Sequence, residues 1–178
     1  MTQAYLLQPK KTIVLVGLMG CGKTAIGKRL AKKLDLPFID LDHKIEEVEK
    51  MSVKDIFAKH GEAYFRKLEL ETARRILNGG QVVLATGGGA FINDEIRTLI
   101  KEKCISIWIN ADLKTLLERV SGKNTRPLLE NGNKEEILKD LMDKRYPIYG
   151  QADIIVPTSH GTHEIVLRRI IEAIARHE

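Results

Sequence analysis

Eight consecutive residues, Gly17-Leu18-Met19-Gly20-Cys21-Gly22-Lys23-Thr24, satisfy the pattern G-x-x-x-x-G-K-[ST]. Glycines at these places let backbone N–H groups turn inward around phosphate oxygens, and a helix that follows presents its positive end. Lys23 adds a point charge for the β- and γ-phosphates, and Thr24 offers a hydroxyl to Mg²⁺. Gly20, Cys21, Gly22, Lys23, Thr24 and Ala25 are therefore the expected nucleotide-binding segment, with a nucleotide's phosphates and Mg²⁺ as the ligands. Residues 20–25 also fit G-x-G-x-x-[GA], with Asp40 and Asp42 about 20 residues further on, as a dinucleotide site has. Two observations favour phosphoryl transfer: the Lys-Thr pair stands where that chemistry needs it, and the chain is short for a nicotinamide domain plus a substrate domain.

Other residues can complete such a site. Asp40-Leu41-Asp42 closes a short apolar run, so the sequence predicts both carboxylates at the C-terminal edge of a strand. One would face Mg²⁺ while the other accepts the proton of a substrate hydroxyl; the competing reading makes Asp42 the cap of a helix starting near His43. Thr86-Gly87-Gly88-Gly89 follows another strand, and three glycines in a row suggest backbone brought close to a ligand more than a bare turn. Arg66 and Arg145 are candidate forks for an anionic substrate, although each alone reads as a surface arginine. Arg126 lies in the aperiodic stretch 121–133 (SGKNTRPLLENGN), the expected lid, where it can swing over a transferring phosphate with Pro127 stiffening its placement. The five histidines form no ligand spacing and read as surface or capping residues.

These candidates need a scaffold, and periodicity supplies one. Short β-branched runs at 12–17, 38–40, 82–85, 104–110 and 154–156 alternate with helical patterns at 23–34, 44–59 (broken near Ser52), 62–77, 94–101, 112–119, 134–148 and 163–177. That alternation predicts an α/β fold: a five-stranded parallel sheet with helices on both faces. At 178 residues the chain fits one domain, 1–178, and 43% hydrophobic residues supply a core without disulfide staples. A net charge of +5 is a mild bias towards anionic ligands, while nine aromatics without a basic stripe argue against nucleic acid. No apolar run is long enough to span a membrane, and two cysteines outside any C-x-x-C suit a reduced, cytoplasmic protein.

Taken together, GLMGCGKT, PFIDLD, GEAYFRKLE, ATGGGA, TRPLL and RYPIY, in this order and spacing, resemble shikimate kinase from about Lys11 to the final helix. The resemblance implies a cytoplasmic, monomeric enzyme akin to nucleoside monophosphate kinases, with a lid and a substrate-binding helical part at about 42–79. It implies transfer of the γ-phosphate of MgATP to the 3-hydroxyl of shikimate, on the way to chorismate and the aromatic amino acids. Lys23 and Thr24 would bind phosphate and Mg²⁺, with Asp40 near the metal through water, and Asp42 would hold the substrate hydroxyls and act as base. Arg66, Gly88 and Arg145 would bind shikimate, Arg126 would close onto the phosphates, and Arg119 would lie against adenine. In the adenine loop, Val156-Pro157-Thr158-Ser159-His160-Gly161-Thr162-His163 lacks the Arg and Pro that members often carry, so adenine contacts are not assigned there. The alternatives are a gluconate or nucleotide kinase and a non-catalytic ATP-binding module.

Overall fold

Strand β1 (Thr12–Val16) is buried along its whole length and β4 (Cys104–Asn110) along all but its last residue, as near-continuous apolar runs require of strands covered on both faces. In the computed structural model, which describes residues 9–121, 132–158 and 161–178, these two are the sheet's interior. β3 (Val83–Ala85) lies on the other side of β1, and β2 (Phe38–Asp40) and β5 (Ile154–Pro157) form the edges. The order is β2-β3-β1-β4-β5 and every pairing is parallel, with Ile13 opposite Val83 and Ile105. Edge strand β5 alternates buried and exposed residues, because only one of its faces is covered.

The crossovers are helical: α1 (Lys23–Leu34), α2 (Leu41–Glu49), α3 (Val53–His60), α4 (Glu62–Leu77), α5 (Asp94–Lys103), α6 (Leu113–Val120), α7 (Lys134–Tyr149) and α8 (His163–His177). The expected α/β architecture is therefore found, with α2, α3 and α4 all inserted between β2 and β3. The break expected near Ser52 is real: Lys50 turns left-handed (φ 54°) to end α2, and Ser52 Oγ accepts the Asp55 N–H at 3.1 Å to start α3. A one-turn 3₁₀ helix, Ala90–Ile92, follows the triglycine and was not expected.

One expectation is corrected. Asp42 is not a strand residue, because β2 ends at Asp40 and α2 begins at Leu41. Asp40 Oδ1 accepts the His43 N–H at 3.2 Å, so Asp40, and not Asp42, is the helix cap; such a cap stabilises a helix by about 1 kcal/mol. Leu41, fully buried, anchors that first turn in the core, and Asp42 leaves from the same turn. Arg126 and nearly all of the expected lid lie outside the described residues. No helix among the described residues is long and apolar enough to cross a membrane.

Candidate active site

All the candidate residues that are described collect at one edge of the sheet, where the strands end and the helices begin. The loop after β1 turns through positive φ at Gly17 (145°), Gly20 (81°) and Gly22 (101°), conformations that glycine adopts without strain. Gly22 is also the N-cap of α1, with no side chain closing that helix end, so its first N–H groups face the cleft. Lys23, 9% exposed, donates from Nζ to Gly17 O at 2.7 Å and Leu18 O at 3.0 Å, which holds the ammonium inside the loop. Thr24 Oγ1 donates to Asp40 Oδ2 at 2.8 Å, and the two form a pair of hard oxygen donors at the mouth. Arg119, from the end of α6, reaches over the loop and donates to Gly20 O at 3.2 Å and Cys21 O at 2.9 Å. These groups line a cleft of about 530 Å³.

Asp42, Gly87 and Gly88 are shared between that cleft and a smaller recess beside it. The recess also takes in Arg66 and Glu69 from α4 and Arg145 from α7, so two carboxylates and two guanidinium groups line it beside the triglycine turn. Its apolar wall includes Val53, Phe57 and Phe65, the two rings 4.8 Å apart. Among the described residues, Arg145 Nη1 is a buried donor without a hydrogen-bond partner, and Arg145 lines the recess. Arg66 is steadied by Glu69 Oε1 at 2.9 Å and Glu62 Oε1 at 3.3 Å.

Three further residues belong to this constellation and were not singled out from sequence. Glu69, 1% exposed, sits three residues after Arg66, on the same face of α4. Tyr149, fully buried and four residues after Arg145, donates its hydroxyl to Gly88 O, and burial keeps that phenol protonated by pushing its pKa well up. Both spacings were visible as i, i+3 and i, i+4 pairs on predicted helices. His163, read as a surface or capping residue, instead opens α8 on the wall of the larger cleft; burial, with the positive charge of Arg29 and Arg119, lowers its pKa and favours the neutral ring.

Burial raises the Glu69 pKa from 4.5 to about 6, with Asp42 adding to the rise while Arg66 and Arg145 oppose it. A carboxyl whose folded pKa is raised adds most to stability below its unfolded pKa, and that contribution is lost as pH climbs through the folded value. Glu69→Gln, which does not titrate, should therefore gain on the wild type between about pH 4 and about pH 7, by on the order of 2 kcal/mol. Denaturant unfolding of both proteins across that range measures it; parallel stability curves would mean that Glu69 titrates normally.

A family model described as shikimate kinase matches residues 19–175. A shikimate kinase of Brucella canis is 48% identical over 167 residues, covering 94% of this chain and 84% of that protein. One of Rhizobium meliloti is 45% identical over 169 residues, 95% of this chain and 88% of the other. Among solved structures, shikimate kinase from Acinetobacter baumannii in complex with shikimate superposes with a TM-score of 0.92 at 34% identity, over 98% of this chain and 97% of that one. A gluconokinase from Sinorhizobium meliloti superposes at 0.63 with 15% identity, covering 96% and 94% of the two chains, a likeness of fold alone.

Proposed function

The chain belongs to the shikimate kinase family, and from that premise we propose that it transfers the γ-phosphate of ATP to the 3-hydroxyl of shikimate. The products are shikimate 3-phosphate and ADP, in the route to chorismate and the aromatic amino acids. The observation that carries this reading is the meeting of Asp42, Arg66 and Arg145 at a recess that opens beside the phosphate loop. A small hydroxylated carboxylate suits such a recess: the arginines grip its carboxylate bidentately while Asp42 faces its hydroxyls. The Arg145 nitrogen left without a partner among the described residues is a group that such an anion would satisfy.

In the proposed reaction Asp42 takes the proton of the 3-hydroxyl as that oxygen bonds to the γ-phosphorus, and the bond from phosphorus to the bridging oxygen of ADP breaks. Lys23 leans on the phosphate oxygens from inside the loop, and Gly20, Gly22, Thr24 and Ala25 present backbone N–H groups to them, while the Cys21 N–H, expected among them, donates to Leu18 O at 3.2 Å. The donor pair Thr24 and Asp40 fits Mg²⁺, which supplies neutralisation of charge on the β- and γ-phosphate oxygens when bound. Arg126 closes over the transferring group, and Arg119 lies along the nucleotide base. The helical part formed by α2, α3 and α4 carries the acceptor, and the protein works as a cytoplasmic monomer on small molecules alone.

Product analysis tests the reaction: phosphorus NMR of ATP and shikimate incubated with the enzyme should show one new monoester, on the 3-oxygen. An analogue without that hydroxyl should yield none, and a monoester on another position would overturn the assignment. Thr24→Ala deletes one of the oxygen donors and should raise the Mg²⁺ concentration for half-maximal activity by about tenfold. An unchanged Mg²⁺ titration would remove Thr24 from the metal site.

A further inference from the structure

Gly87, Gly88 and Gly89 do not owe their identity to backbone conformation, since none of them has a positive φ. What they lack is a side chain, and each would place one against a different functional group. A Cβ on Gly87 would stand 2.6 Å from Asp42 Oδ1 and 3.2 Å from its Cγ. On Gly88 it would stand 3.0 Å from Arg145 Nη1, and on Gly89 2.6 Å from Arg66 Cζ. Carbon atoms do not approach polar atoms so closely without one of them moving, because the repulsive wall rises steeply inside van der Waals contact.

We propose that the triglycine is a gauge: its three missing Cβ atoms hold open one place each for Asp42, Arg145 and Arg66, and so fix the distance between the proton acceptor and the carboxylate fork. This rests on the roles proposed above for those side chains. That distance selects the acceptor class, a compact hydroxy acid whose reacting hydroxyl and carboxylate lie a set span apart. Each of the three can yield to a new Cβ only by leaving the place that its present neighbours give it. Arg66 is tied to Glu69 and Glu62, and the turn carrying Asp42 is anchored by Leu41. Arg145 stands beside Tyr149, whose hydroxyl in turn pins Gly88 O. An added methyl therefore displaces one chosen group, and the kinetic damage takes the character of that group.

Two alanine variants and their double mutants decide the matter. Gly87→Ala should lower kcat for shikimate by about tenfold or more while moving its KM less than about threefold, because it disturbs the proton acceptor. Gly89→Ala should do the reverse, raising the KM for shikimate about tenfold with kcat nearly kept, and MgADP affinity should be unchanged in both. In an Asp42→Ala background Gly87→Ala should cost less than about twofold more, and likewise Gly89→Ala in Arg66→Ala, since the displaced group is gone. A variant too unstable to assay reads the same coupling as a drop in melting temperature that the double mutant recovers. Identical kinetic patterns for the two glycines, or costs that add in the doubles, overturn the gauge. If Asp42→Ala and Arg66→Ala themselves leave shikimate phosphorylation intact, the fault lies in the proposed roles instead.

Discussion

Asp42→Asn should lower kcat for shikimate phosphorylation by about 10²–10⁴-fold, with a much smaller change in the KM for ATP. Asparagine keeps the shape and most of the hydrogen-bonding reach of aspartate but has no basicity, so the substitution isolates proton transfer from positioning. The side chain stands at the junction of the nucleotide cleft and the acceptor recess, which is where a proton must leave the attacking hydroxyl. Since Asp40 already caps α2, removing the Asp42 charge leaves that cap intact, and a stability loss should not masquerade as lost chemistry. Steady-state kinetics checks the claim, together with a melting curve. A change in kcat below about threefold would make Asp42 a positioning group and no base.

For Arg145→Lys, the KM for shikimate should rise about 10- to 100-fold while the KM for ATP barely moves. Lysine keeps the charge but not the planar fork, and at a buried site that geometry governs how well a carboxylate is held. Arg145 Nη1 is buried with no hydrogen-bond partner among the described residues, as a donor for a bound carboxylate would be before binding. The rest of α7 should tolerate the change: Tyr149 still packs in the core, with Trp108 5.9 Å away ring to ring and the Tyr146 hydroxyl bound to Ala111 O at 2.5 Å. Equal weakening of both substrates would move Arg145 to the nucleotide.

Much of this site could be read in the chain before any coordinates. The phosphate loop is a local object whose eight residues contain all its geometry, so spacing alone located Lys23 and Thr24. Apolar continuity likewise marked β1 and β4, because burial on both faces leaves no alternation to confuse. The Asp40–Asp42 boundary was not legible for the opposite reason. A three-residue strand running straight into a helix is too short to show either period, and both carboxylates are good caps. His163 was missed because its position at the cleft depends on where α8 packs, and no residue near it in sequence says so. The triglycine reads in sequence as a place for ligand to approach backbone, and Gly87 and Gly88 do line both the cleft and the recess; that side chains from α2, α4 and α7 crowd the same turn is a tertiary fact that no local pattern shows.

A coupled ADP-release assay with a panel of acceptors shows whether this phosphate-loop enzyme is built for shikimate. ATP alone should turn over slowly, because transfer needs an oriented acceptor and water is a poor substitute for one. Shikimate should raise ADP release sharply and saturably, while gluconate and the nucleoside monophosphates leave it near the rate without acceptor. Stimulation by gluconate or a nucleoside monophosphate, with none by shikimate, would contradict the account.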